Sequence, residues 1–458
     1  IAQRPFKQIT YQVPPMGLLS ADHVGHIHAT ALTILEEVGM KILSPNARKV
    51  FAGAGFQVDD DSALVRFDRQ GLEALVAKAP AQFELTARNP DHNLKIGGPN
   101  AVFTGVGGPA YCMDLDKGRR AGTYAEMCDF MRVMQSLNII HQESGGCFEP
   151  MDLPPETRHL DLYLAQMTLL DKNCHAYPLG HGRTMDCLEM NAIALGTDVA
   201  GLAETPVVTG IINTNSPRQL DVPMSEAVLA LAGAGQVCCI TPFTLAGSMS
   251  PAVMAGTLVQ QTAEVLAVVT LAQSVRPGSP VIYGSFASNV DMKSGAPALG
   301  TPEYTRMIIA SGQIARALGL PLRSSNTTTS NCVDAQAAYE SEMSLWGCAM
   351  GHANLVVHAA GWLECGLTAS FEKLIVDAEM LQMMAETLQP IEINTDELAL
   401  DAIAGVEPGG HHFGTPHTLE RYETAFYPPL RSYRQNFETW LEAGGEDAAR
   451  RANSIWKT

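Results

Sequence analysis

The feature that most constrains this chain is a rhythm. From Ala101 onward, eight short apolar runs alternate with eight helical patterns. The runs are Val102–Val106, Asn138–Glu143, Asn173–Pro178, Pro206–Asn213, Gln236–Thr241, Pro280–Phe286, Leu320–Asn326 and Asn354–Ala360. Each is of strand length, and most carry β-branched residues. Between and after them the apolar period changes to that of a helix: Tyr124–Leu137, Thr157–Leu170, Thr184–Leu195, Ser225–Gly235, Val253–Val275, Glu303–Leu318, Asp334–Met350 and Phe371–Glu386. Strand–helix alternation repeated eight times predicts an α/β fold, a (β/α)8 TIM barrel over residues 101–387. A doubly wound open sheet is the alternative, because alternation alone does not specify closure. Gly105, Gly107 and Gly108 are not followed by a helix start, so no dinucleotide fingerprint opens the first unit.

The flanks read differently. Residues 1–100 form an N-terminal helical layer: Ser20 caps a helix running to about Val38 and Gly39, Ser44–Pro45 starts a second, and Arg66–Phe67–Asp68 leads into a third. Phe83–Ala87 and Asn93–Ile96 are candidates for a paired hairpin. After the repeat stops, residues 388–458 carry His411, His412, His417 and an aromatic-rich tail, which is expected to pack on the barrel or on a neighbouring subunit.

Composition narrows the function. The 458 residues include 30 Lys+Arg against 48 Asp+Glu, a net charge of −18, which disfavours nucleic acid and anionic membrane as partners. Charged residues make up only 17% of the chain, which points to surface buried between subunits and so to a homo-oligomer. The ten Cys lie mostly within apolar segments and not in a small disulfide framework, so they are expected to be free thiols in a cytoplasmic protein. The most apolar long stretch, Ala252–Val275, contains Gln260, Gln261 and Glu264 and reads as a buried helix, not a membrane span.

In a barrel, the groups that do chemistry sit just beyond the strand C-termini. Those positions hold Tyr111; Glu143 and Phe148; His175 and Tyr177; Phe243; Asn326; and His358, Trp362 and Glu364. The chain is only 6% aromatic, yet aromatic residues recur there. Aromatic faces with a carboxylate suit a quaternary ammonium, which has no N–H to donate and is held by cation–π attraction. Ordinary barrel-top packing would place aromatics there too. No zinc-type spacing of Cys and His occurs, and no Gly-x-Ser-x-Gly elbow, so no metal site or catalytic nucleophile is assigned.

Several runs are specific. Gly107–Gly108–Pro109–Ala110–Tyr111 with Asp114 and Arg119–Arg120 comes first. Leu245–Ala246–Gly247 through Ala263–Glu264–Val265–Leu266 follows, then Val281–Ile282–Tyr283–Gly284 and Asp334–Ala335–Gln336–Ala337 with Glu340. Gly361 to Leu367 and Gly409–Gly410–His411 close the series. Together, in order and over nearly the whole chain, they resemble the trimethylamine/glycine betaine methyltransferase family. The resemblance implies methyl transfer from a methylated amine or betaine to the cobalt of a corrinoid (cobalamin) carried by a separate protein. No Asp-x-His-x-x-Gly corrinoid-ligand run is present, consistent with the cofactor arriving on that partner. The trimethylamine branch carries pyrrolysine near the seventh strand, whereas here Ser324 to Cys332 are ordinary residues, which points to the branch acting on betaines. On this reading Tyr111, Phe148, Tyr177, Phe243 and Trp362 supply the ammonium cage, Glu143 or Glu364 adds negative potential, and His175, His358 or Asn326 holds the substrate carboxylate. A non-catalytic binder of methylated amines and a metal-dependent barrel enzyme are the alternatives.

Overall fold

The computed structural model describes residues 3–458. Its centre is a curled eight-stranded sheet, mostly parallel, wrapped by helices. Seven parallel strands run β1 (Asn100–Gly105), β2 (Cys174–Ala176), β3 (Val208–Ile212), β4 (Val237–Ile240), β5 (Val281–Gly284), β6 (Leu322–Ser325) and β7 (Leu355–Ala360). They pair in chain order from β2 to β7, and β7 then pairs in parallel with β1. The eighth strand, Ile9–Thr10, lies antiparallel on β1. The apolar run at Asn138–Glu143 does not form a strand. It contributes only Gln142, through isolated parallel bridges to Thr104 on one side and Asn173 on the other. The reason is local competition for backbone groups. His141 Nδ1 accepts the Phe103 N–H at 2.9 Å, and the Glu143 carboxylate turns back to accept from Gly145 and Gly146.

The helices follow the sequence pattern closely. In the N-terminal layer, α1 (Ala21–Thr33) and α2 (Pro45–Gly53) are capped by Ser20 and Ser44, and α3 (Arg69–Val76) by Asp68. Around the sheet lie α4 (Tyr124–Ser136), α5 (Arg158–Leu169), α6 (His181–Ala194), α7 (Val222–Gly233), α8 (Met254–Val275), α9 (Pro302–Ala317), α10 (Ala335–Gly351) and α11 (Phe371–Thr387). Helix α8 is long and apolar enough to cross a membrane, but it is buried without interruption from Gln260 to Gln273, between α1, α3, α7 and the sheet. All ten cysteines are free.

The lumen of the curled sheet is apolar at one end and polar at the other. A hairpin of Gln82–Leu85 and Leu94–Gly97 brings Leu85, Leu94 and Ile96 against Val102, Val237, Ile282, Leu355 and Val357 and plugs the end where the strands begin. Above this plug, towards the strand C-termini, the inward side chains become Thr104, Gln142, Thr209, His175 and Arg323. Pleat alternation carries Arg323 inward, since its register partner Leu355 faces the plug. The C-terminal segment returns to the same body. Asn453 Nδ2 and Trp456 Nε1 donate to Glu372 of α11 at 2.8 and 2.9 Å, and Tyr427 Oη donates to Glu379 at 2.8 Å.

Candidate active site

The polar end of the lumen collects a row of rings. Phe243 follows β4, Phe286 follows β5 and Trp362 follows β7. Phe286 lies 5.1 Å from Phe243 and 5.7 Å from Trp362, centroid to centroid. His358 meets Trp362 edge-on at 4.0 Å. His358 is held in an unusual way. Its φ is +55° inside β7, at the point where the β7–β1 register shifts, so the strand bulges there and re-aims the imidazole. Its Nδ1 accepts the Gly107 N–H at 3.2 Å, which places the ring proton on Nε2. Gly107 has no freedom to be anything larger, because a Cβ there would sit 1.9 Å from the Ser144 carbonyl oxygen.

Burial, reinforced by the Arg323 guanidinium, pushes His175 down to about 3 and His358 well below the usual imidazole range, so both rings are neutral. Burial pushes Glu143 up to about 7 even though Gly145 and Gly146 donate to it. Several buried polar atoms have no partner: Arg323 Nε and Nη1, His175 Nδ1, Ser325 Oγ, Asn326 Oδ1, Trp362 Nε1 and Gln142 Oε1. An enclosed cluster of such atoms is costly unless something else occupies it.

The sequence-derived candidates divide into two groups. Phe243, Trp362 and His358 come together, and both His175 and His358 lie close enough to Arg323 to feel its charge. Asn326 lies beside them, its Nδ2 donating to the Ala359 carbonyl at 2.9 Å. The rest are engaged elsewhere. The Tyr111 ring is covered by the Arg119 guanidinium at 3.7 Å, and Arg119 also donates to Glu364 at 2.7 Å, so these three form an outer cluster of their own. Phe148 is fully buried against Phe130, behind the site. Tyr177 Oη donates to Glu149 at 2.6 Å. Glu143 closes its own turn. Sequence reading passed over Arg323, although a lone Arg inside the apolar run Leu320–Asn326 was the available signal. It also left Phe286 out of the candidate set. Among the described residues no group of three or more His, Cys, Asp or Glu is placed to hold a metal ion.

Aromatic and uncharged imidazole groups gathered at the strand C-termini of a curled, parallel-rich α/β sheet, with no acid–base pair among them, define a candidate small-molecule site. The sequence profile of the trimethylamine methyltransferase (MTTB) family matches residues 1–458, and the chain belongs to that family. Among its relatives, the glycine betaine methyltransferase of Desulfitobacterium hafniense (strain Y51) is 37% identical over 97% of this chain and 92% of the relative. The trimethylamine methyltransferase MttB of Desulfitobacterium hafniense (strain DSM 10664 / DCB-2) is 28% identical over 93% and 86%. In fold, the chain resembles the crystal structure of the hydroxylamine MtmB complex, with a TM-score of 0.52 at 10% identity, covering 97% of this chain and 94% of that one.

Proposed function

We infer that this protein is a methyltransferase that moves a methyl group from a quaternary amine, glycine betaine or a related betaine, to the Co(I) corrinoid of a partner protein. The observation that carries this reading is the enclosed row Phe243–Phe286–Trp362, in a chain 37% identical to a glycine betaine methyltransferase. A quaternary nitrogen cannot be recognised by hydrogen bonds to itself, and aromatic faces are what hold it. The corrinoid supplies a strong cobalt nucleophile. One C–N bond breaks, the electron pair stays on nitrogen, and a tertiary amine leaves, so no general acid or base is required. The chain's residues then have three tasks: to bind the ammonium, to align one N–CH3 bond with the mouth of the lumen, and to exclude water. Neutral His175 and His358 suit these tasks, because two further cations beside Arg323 would repel the ammonium.

The architecture that goes with this reading is a closed (β/α)8 barrel. The bridges from Thr104 to Gln142 and from Gln142 to Asn173 support ring closure through a single residue between β1 and β2. Residues 1–100 are then an N-terminal layer, 101–387 the barrel and 388–458 an arm, in a soluble homo-oligomer. Phe243, Trp362, His358, His175 and Asn326 form the inner site, and Tyr111, Glu364, Tyr177, Glu143 and Phe148 its surround. The test is to incubate the protein with free Co(I) cobalamin and a panel of betaines and methylamines, following methyl transfer by absorbance. Transfer from a betaine supports the reading. Transfer from none of the panel by folded protein refutes it.

A further inference from the structure

We propose that Arg323 is the receptor for the donor's carboxylate, and that it restricts this site to zwitterionic amines. The proposal rests on the quaternary-amine reading for the other half of the ligand. Arg323 is 2% exposed, yet among the described residues it forms no ion pair, and Nε and Nη1 have no hydrogen-bond partner. A guanidinium does not relieve this by losing its proton. A buried cation without a counter-charge is among the most costly arrangements a fold can hold, and it persists where a ligand completes it.

The surroundings specify what completes it. The guanidinium carbon lies 4.9 Å from the Phe286 centroid, at the middle of the aromatic row. The unpaired donors there are Trp362 Nε1–H, the Ser325 hydroxyl and Arg323 itself, and the unpaired acceptors Asn326 Oδ1 and Gln142 Oε1 are uncharged amide oxygens that bring no counter-charge. Glu143, a buried carboxyl group, spends both oxygens on Gly145 and Gly146. Asp377, behind β7, is paired with Lys373. The site therefore offers the Phe243 and Trp362 faces for a cation and, over the Phe286 ring between them, a cation without a counter-charge and with spare donors for an anion. A molecule carrying a quaternary ammonium and a carboxylate a short chain apart satisfies both. An amine without the carboxylate would bring a second positive charge beside Arg323 and leave its donors unpaired, which penalises it twice.

Two half-ligands separate the two subsites. The carboxylate 3,3-dimethylbutyrate has the shape of glycine betaine with carbon in place of nitrogen, and tetramethylammonium carries the cation alone. Calorimetric titration of the wild type, Arg323→Met and Arg323→Gln against these two and glycine betaine is the experiment. Both variants are expected to bind glycine betaine and 3,3-dimethylbutyrate at least ~100-fold more weakly, about 2.7 kcal/mol. Both are expected to bind tetramethylammonium more tightly, because a repelling charge is gone, and to melt no lower than the wild type. Should Arg323→Met fail to fold, Arg323→Gln carries the test. Unchanged affinity for 3,3-dimethylbutyrate in either folded variant overturns the proposal, as does failure of the wild type to bind it. Wild type that binds the carboxylate probe, with neither folded variant binding tetramethylammonium, upholds Arg323 and removes the ammonium reading.

Discussion

Lys373 and Asp377 sit one turn apart on α11, and both side chains are completely buried. Lys373 Nζ donates to Asp377 Oδ1 and to Ser341 Oγ, the latter at 2.7 Å. The other carboxylate oxygen accepts the Gly361 N–H at 2.8 Å. Gly361 has φ +104°, and a Cβ there would crowd Phe130 and Val106 at 3.1 and 3.2 Å, so this is a tight turn that only glycine fits. It is also the residue that delivers Trp362 to the aromatic row. Asp377→Ala leaves an ammonium group in the core with no counter-charge and orphans the Gly361 N–H. Breaking one side of a buried pair costs about 3–5 kcal/mol. Unfolding entropy near 2.1 cal/mol/K per residue, taken over 458 residues, is about 1 kcal/mol/K, so the melting temperature should fall by about 3–5 °C. Scanning calorimetry at pH 7.5 measures the shift, and urea titration measures the free energy. The double substitution Lys373→Met/Asp377→Leu removes both charges and should be at least about 2 kcal/mol more stable than Asp377→Ala, leaving mainly the unpaired Gly361 N–H. An Asp377→Ala protein melting within a degree of the wild type would refute the argument, as would a double variant no more stable than the single one.

Three further outcomes are expected. Trp362→Phe keeps most of the packing but presents a weaker cation–π face, so quaternary amine affinity by calorimetry should fall roughly three- to thirtyfold, whereas Trp362→Ala should also cost about 3–5 kcal/mol of stability because the ring is only 6% exposed. Glu143 is raised to about 7 by burial from its ordinary value of 4.5, so the folded state holds a proton that the unfolded chain gives up. Its stabilising contribution is full below about pH 4.5 and is lost as pH rises through 7. Relative to Glu143→Gln, the wild type should therefore gain about 2 kcal/mol between pH 7.5 and pH 5 in urea titrations. Arg119→Ala uncovers the Tyr111 ring and frees Glu364, but Arg119 is part-exposed, so the melting curve should show less than about 1 kcal/mol of change.

Much of this protein was legible in its sequence, because periodicity is a local property. The change from strand to helix periods located every helix from α4 to α11 to within about three residues. Ser20, Ser44 and Asp68 announced their helices by the same capping bonds they make in the fold. The order of motifs identified the family from residues alone, and the ordinary residues near β6 pointed to its branch without pyrrolysine. The stretch at Asn138–Glu143 failed as a strand because the His141 ring took the Phe103 N–H of the neighbouring strand and Glu143 closed a turn just beyond, which an apolar count does not register. What tertiary structure alone decided was which partners were already taken. Tyr111, Glu364 and Tyr177 looked like free site residues, yet they meet Arg119 and Glu149, groups distant in the chain or across a turn. Arg323 looked like one more strand residue, but pleat and register turned it into a lumen that offers it no carboxylate. A sequence specifies which residues are charged, aromatic or small. Whether a charge has a counter-charge depends on three-dimensional packing.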